Sequence, residues 1–476
     1  MLGWLAGCSL NEYDHKSCTQ ASDCRQAFGF AAVCGGRGLC EQVSIGPRCQ
    51  DSYPDDLWRD PQRYRQAVVF GSLMDHGSDA HLTRERAIRL AVKQANAAGG
   101  LEGRSLALVM CDIRESPELD NLTRTAAAVA SASFLSKTLG VSAIIGPSAS
   151  TDTEQVWQVA RGGSTLVISP AATSPALTAL EMSSSDEQPG LLWRTAPPDS
   201  IQGRVIAEDL LARKVMRAHV IRESGAYGEG LAAVFSDHYR QGGGALQLAS
   251  LLSESQIPEV VAGVPADDGV ESPAEVLFIS SQQAWIASFL KAAAASPAFA
   301  RRSVFLTDAA ANQAVLSAAA GSDSLYPRVR GTRPAPRSPE DFVYASFVAD
   351  FQAEYSGQSP AGATFSPHAY DAAWLTLYGA AWSLLQKGAV TGPGIAGGLR
   401  RVSAGGLGPT PILPASWPVV VAAFRAGRDI NVSGASGELD YNAVTRELDS
   451  PIEIWTIGPA PEGGAFMLVP VETRTR

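Results

Sequence analysis

Short apolar, β-branched runs alternate with stretches of helical periodicity along most of this chain. Two segments set the pattern. Ser142-Ala-Ile-Ile-Gly-Pro-Ser-Ala-Ser-Thr151 and Thr165-Leu-Val-Ile-Ser-Pro-Ala-Ala-Thr-Ser-Pro175 each run apolar and then stop at a cluster of small and hydroxylic residues. Such a run reads as a buried parallel strand with a loop at its carboxyl end. Asp152 to Gly163, between them, is long enough for a crossover helix, so the unit is β-α-β. Open α/β sheets bind ligands just outside the carboxyl ends of their strands. Loops of hydroxyls and exposed backbone N–H groups suit a carboxylate or another small anion.

The same alternation extends in both directions. Gln66–Gly71 predicts a first strand, followed by a Gly-, Asp- and His-rich loop with His76 and His81, and then Thr83 as a helix N-cap. Ala87, Ile88, Ala91, Val92 and Ala95 share one helical face, and Gly99-Gly100 closes that helix. Ser105–Met110 is the next strand, and a helix over about 119–139 leads into the strand at Val141. Pro197-Pro198 interrupts the pattern, which then restarts. A helix over about 201–213, strands at 218–222, 275–280 and 304–306, and a helix starting near Tyr227 follow. Long helices are expected at about 341–355 and from about Tyr370 to Leu385. Two α/β cycles imply two lobes with parallel sheets. Arg328–Arg337 reads as a second crossing between them, and Gly434–Asp440 as a third.

Composition narrows the class. A length of 476 residues, 45% hydrophobic and 18% charged, describes a globular chain of two or three domains. The net charge of −10 argues against nucleic acid as a partner. No run of about twenty apolar residues is present to span a membrane. Leu5-Ala-Gly-Cys8 resembles the bacterial lipobox, in which the cysteine is acylated; Ser9 in place of Asp would favour the outer membrane. Only seven residues precede Cys8 and none is basic, so either the true start lies upstream or the match is chance. Without Cys8 six cysteines remain, and five of them fall between residues 18 and 49, as in a disulfide-stapled module of an oxidising compartment. The repeated spacing Cys18-x5-Cys24 and Cys34-x5-Cys40 suggests crossed bridges Cys18–Cys34 and Cys24–Cys40, leaving Cys49 for Cys111. Zinc is disfavoured by the spacing, with only His15 nearby.

From about residue 66 to 457 the chain resembles the type I periplasmic binding proteins of the leucine/isoleucine/valine-binding class. The landmarks, in family order, are Ala95–Arg104, Ile144–Pro147, Ile168–Leu177, Trp193–Gly203, Ala226–Leu231, Phe305–Asp308 and Gly437–Asp440. The resemblance implies two Rossmann-like lobes joined by three hinge segments, with a small ligand closed between them. It places residues 1–60 in the Cys-rich module, 61–197 and 332–436 in the first lobe, and 198–331 and 437–476 in the second. It also implies that Ser150, Ala171 and Thr173 hold a ligand carboxylate and that Tyr227 contacts the ligand from the second lobe. Ala309 stands where amino-acid binders carry an acid for the ammonium, with Asp308 beside it. Gln282 replaces a common aromatic, and Ala80 a common tyrosine. The expected ligand is an amino acid or another small carboxylate, and the expected partner an ABC permease, in an extracytoplasmic, lipid-anchored protein without cofactor or metal. A surface sensor or adhesion lipoprotein on the same fold is the alternative.

Catalytic motifs do not support an enzyme. Gly392-Pro-Gly-Ile-Ala-Gly397 formally fits GxGxxG but follows a helix and contains proline. No Walker-A or GxSxG sequence occurs. The arginines at 328, 330, 333 and 337 read as a solvated loop or, less simply, as anion contacts.

Overall fold

The structure, a computed structural model, describes residues 16–182, 184–265, 275–403, 408–460 and 466–475. Cys8 and the lipobox lie outside the described residues. Two sheets organise the body. The first has six strands in the order Asp51–Tyr53, Leu106–Asp112, Val68–Met74, Ala143–Ile145, Leu166–Ser169 and Leu192–Arg194; only Asp51–Tyr53 runs antiparallel. The second has seven, in the order Ala245–Leu251, Arg217–Glu223, Glu275–Ile279, Ser303–Leu306, Val329–Pro334, Ile452–Pro459 and Phe466–Arg474. Its first five strands are parallel and the last two antiparallel. The fold is the α/β architecture read from the alternation.

Element bounds differ from the expected ones where local chemistry intervenes. The first helix of the body runs Asp79–Ala97, so Thr83 lies inside it and donates its hydroxyl to Asp79 O at 2.8 Å. The cap position belongs to Ser78. The helix expected over 119–139 is Arg124–Ser133, started by Thr123, and then widens into a π-turn at Phe134–Thr138. Ala245–Leu251 is a strand that the pattern did not announce. It forms an edge of the second sheet and is largely exposed, so it has no apolar run to mark it.

Three passages connect the sheets. The chain leaves the first sheet after Arg194 and begins the helix Asp199–Ala212. It returns after Pro334 and re-enters the second sheet at Ile452. The third passage thus falls later than 434–440: Leu439 and Leu448 are still buried in the core of the first sheet, beside Trp193 and Trp374. Gly434 is needed for another reason. A Cβ there would meet the Asp371 carboxylate at 2.2 Å. That buried carboxylate accepts Ala435 N at 2.9 Å, Ser436 N at 2.7 Å and Ser436 Oγ at 2.6 Å, tying the segment to the central helix Ser366–Lys387.

Burial pushes the Asp371 carboxyl up to about 6, outweighing these hydrogen bonds. The native state therefore holds this proton more tightly than the unfolded chain does. Asp371's contribution to stability is complete below about pH 4 and is lost as pH rises through about 6, a change of about 3 kcal/mol. Denaturation midpoints from pH 4 to pH 7 should show this slope in the wild type and not in Asp371→Asn; parallel profiles would contradict it.

The six remaining cysteines form Cys18–Cys34, Cys24–Cys40 and Cys49–Cys111, as the spacing suggested. The second staples the helix Ala21–Phe28 to a small hairpin of Ala32–Cys34 and Cys40–Gln42, and the first ties the segment before that helix to the same hairpin. The third joins the module's end to the strand Leu106–Asp112. Arg48 reinforces that junction, donating to Asp112 O at 3.0 Å, Arg114 O at 2.8 Å and the Asp120 carboxylate at 2.7 Å. Among the described residues, no helix is long and apolar enough to cross a membrane.

Candidate functional site

Loops at the carboxyl ends of the parallel strands of both sheets converge on a small cleft of about 40 Å³. The first lobe supplies the helix start Ser148–Ser150, Ala171 from the next strand-end loop, and His81 and Arg84 from the helix Asp79–Ala97. The second supplies Tyr227, Ser281, Gln283, Asp308 and Ala309. Polar contacts cross directly between the lobes at its rim. Ser174 Oγ donates to Ala226 O at 2.6 Å, and Ala226 N donates to Thr151 Oγ1 at 3.0 Å. The turn before Ala226 must be glycine: Gly225 has φ +110°, and a Cβ would lie 2.6 Å from Thr151 Oγ1.

Ser150, Ala171, Tyr227 and Asp308, four of the six expected contact residues, face this cleft. Ser150 Oγ accepts Ser174 N at 3.2 Å, which fixes the hydroxyl between the two strand-end segments. Thr173 and Gln282 stand behind the wall. Thr173 Oγ1 donates to Asp199 at 2.9 Å, and Gln282 Oε1 accepts from Arg124 at 2.6 Å. Gln283, its neighbour, is the residue that lines the cleft.

The acidic side is more elaborate than the sequence suggested. The Tyr227 hydroxyl donates to the Asp308 carboxylate and lies 2.8 Å from Thr307 Oγ1. Ala309 N also donates to Asp308, at 2.9 Å. Asp199, wholly buried at the first passage between lobes, accepts from Thr173 and from Gln202 at 2.7 Å. Gln202 in turn accepts from Thr332 at 2.8 Å, next to the second passage. Burial raises the Asp308 carboxyl. Burial, and then the neighbouring Asp308 charge, push Asp199 well above the usual carboxylate range. The acidic cluster therefore connects the cleft to the inter-lobe connections.

The basic side was not read from the sequence as part of the site. Arg84 is buried, with its guanidinium 5.3 Å from the Phe365 ring and Nε donating to Thr364 O at 3.0 Å. Burial lowers it to about 10. Arg124 also lines the cleft but is paired with the fully buried Asp152 at 2.7 Å. A signal for Arg84 did exist: it precedes Ala87 and Ile88 by three and four positions and so falls on the helix's apolar face. His81 lines the cleft and accepts Asp75 N at 3.3 Å, whereas His76 lies 2.7 Å from Glu85 outside it. The arginines at 330, 333 and 337 are elsewhere, paired with Asp209, Glu453, and Asp341 and Glu438. Arg328 donates to backbone carbonyls of Phe299 and Arg302.

Residues 83–457 match the family described as the receptor family ligand binding region. The chain belongs to that family. Its class is that of the type I periplasmic binding proteins. The chemotactic signal transduction system substrate-binding protein BasB of Halobacterium salinarum is 28% identical over 387 residues, covering 79% of this chain and 84% of that protein. The Leu/Ile/Val-binding protein of Escherichia coli K12 is 32% identical over 153 residues, 32% of this chain and 37% of its own length. Two solved structures share the fold. A branched-chain amino-acid transporter substrate-binding protein from Streptococcus pneumoniae, in complex with isoleucine, has a TM-score of 0.61 at 17% identity, covering 85% of this chain and 100% of that one. A solute-binding protein from Rhodopseudomonas palustris in complex with 4-hydroxybenzoate has 0.63 at 14%, covering 86% and 97%.

Proposed function

We propose that this protein is an extracytoplasmic solute-binding protein that closes its two lobes around a small carboxylate, an amino acid or a related acid, and delivers it to an ABC-type permease. The observation that carries this reading is a cleft walled by strand-end loops of both sheets, with Ser150 and Ala171 on one side and Tyr227 and Asp308 on the other. Ser150 and the Ala171 backbone bind the ligand carboxylate. Tyr227 and Asp308 contact its remainder, while Thr173 and Gln282 hold the walls. The first lobe comprises the first sheet with residues 335–450, and the second lobe comprises 198–334 and 451–476. The protein binds without chemistry, and Cys8 carries a lipid that keeps it at the envelope surface.

Relatives with an amino acid or an aromatic acid in their names or complexes support the ligand class. A second reading, sensing without transport, is favoured by one observation: the relative matched over most of its length is named for chemotactic signal transduction.

A thermal-shift screen of the chain against neutral and acidic amino acids, short dicarboxylates and aromatic monocarboxylates tests the binding role. A true ligand at a hundredfold its Kd adds about 2.7 kcal/mol of stability and raises the midpoint. No response to any carboxylate, with a response to a neutral or cationic compound, would contradict the proposal.

A further inference from the structure

Arg84 is a cation of the cleft whose hydrogen bonding the protein leaves incomplete. It is 4% exposed, yet among the described residues its only hydrogen bond to protein is the one from Nε to Thr364 O. Among the described residues its two terminal nitrogens, with four N–H donors, make no hydrogen bond to protein. The Phe365 ring covers it. The other cation of the cleft differs in this respect, since Arg124 is engaged by Asp152 and by Gln282. Asp308 faces the same cleft and its charge acts on Arg84, but its carboxylate takes its hydrogen bonds from Tyr227 and Ala309 N and not from Arg84.

A buried guanidinium with donors aimed into a ligand cleft calls for a planar acidic acceptor, because Arg matches a carboxylate with two parallel N–H···O bonds. A leucine-like side chain there would leave those donors desolvated and unpaired. Arg84 lies on a different helix from the anion loop at Ser150 and Ala171, so the two can engage separate groups of one ligand.

We propose that the cleft is specific for a compact dicarboxylate, one carboxylate on the Ser150–Ala171 loop and the other on Arg84. This rests on the solute-binding reading above. Two sources share the chemistry, an acidic α-amino acid and a plain dicarboxylic acid.

Calorimetric titration of the whole chain with L-glutamate, L-aspartate, glutarate, succinate, L-leucine and benzoate tests it. At least one dicarboxylate should bind at least tenfold more tightly than L-leucine and benzoate. L-Glutamate or L-aspartate ahead of glutarate and succinate identifies an amino-acid ligand; the reverse identifies a plain diacid. Arg84→Met should weaken the best dicarboxylate by about ten- to a hundredfold and change the monocarboxylates less than threefold. Arg84→Lys should recover part of the loss. Thermal midpoints without ligand establish that both variants are folded. L-Leucine or benzoate binding more tightly than every dicarboxylate, or equal losses for both classes in Arg84→Met, overturns the dicarboxylate inference and leaves the solute-binding reading standing. Binding by none of the panel overturns both.

Discussion

Replacing Cys49 and Cys111 together by alanine is expected to lower folding stability by about 4 kcal/mol. The bridge closes a loop with a sequence separation of 62 residues, and the chain-entropy account of such a loop gives a loss of that size. Both half-cystines are buried, Cys49 at 2% exposure and Cys111 at 0%, and pack in the same core cluster as Leu57 and Val109. Neither water nor a partner thiol reaches them easily in the native state. Denaturant titration of the double variant should show the loss. The pair Cys18→Ala and Cys34→Ala, closing a separation of only 16 residues within the module, should cost the main body much less. Equal midpoints for wild type and the Cys49/Cys111 variant would show that the first sheet does not depend on the clamp.

The second large effect belongs to the central helix Ser366–Lys387. Trp374 is fully buried at its middle, with ring centroids 5.7 Å from Tyr378, 5.9 Å from Trp417 and 6.3 Å from Tyr370. Trp417 anchors the far side of this cluster by donating Nε1 to Gly100 O at 2.9 Å, which ties it to the glycine turn after the first helix of the body. Truncating Trp374 to alanine removes the indole and leaves a void that the helices packed on this one cannot all close. The expected cost is about 3–5 kcal/mol. Trp374→Phe should cost less, because it preserves most of the ring contact. Trp382→Ala, on the same helix but partly exposed, should cost least. A reversed order would mean that the helix is not held by this cluster.

How much could be read from the sequence depends on which physical signal carried each feature. Strands with both faces covered announce themselves as continuous apolar runs, and Leu166–Ser169 and Ala143–Ile145 are buried at every position. The edge strand Ala245–Leu251 lacks such a run because exposed positions fall on both of its faces. The bridges were partly legible because a repeated spacing suggested one of the fifteen possible pairings once Cys8 was set aside, and that pairing is the one present. The strand-end loops at Ser150 and Ala171 were legible as parts of the cleft because small and hydroxylic residues cluster after two consecutive strands. Arg84 was not, because its meaning lies in Thr364 and Phe365, some 280 residues away along the chain. Asp199 was hidden in the same way: at the start of a helix it reads as an N-terminal acid, whereas its partners are Thr173 from one lobe and, through Gln202, Thr332 near another passage.

Equilibrium titration of the wild type and Ser150→Ala with the carboxylate that ranks first in the thermal screen tests the central claim most directly. The account predicts one site per chain in the wild type. In Ser150→Ala it predicts a loss of about 1.5–3 kcal/mol of binding free energy, because the lost hydrogen bond is one to a charged group, together with a smaller fall in the ligand-free midpoint from the buried Ser174 N–H that loses Ser150 Oγ as its acceptor. Binding unchanged in Ser150→Ala, or more than one equivalent site per chain, would contradict a single carboxylate site between the lobes.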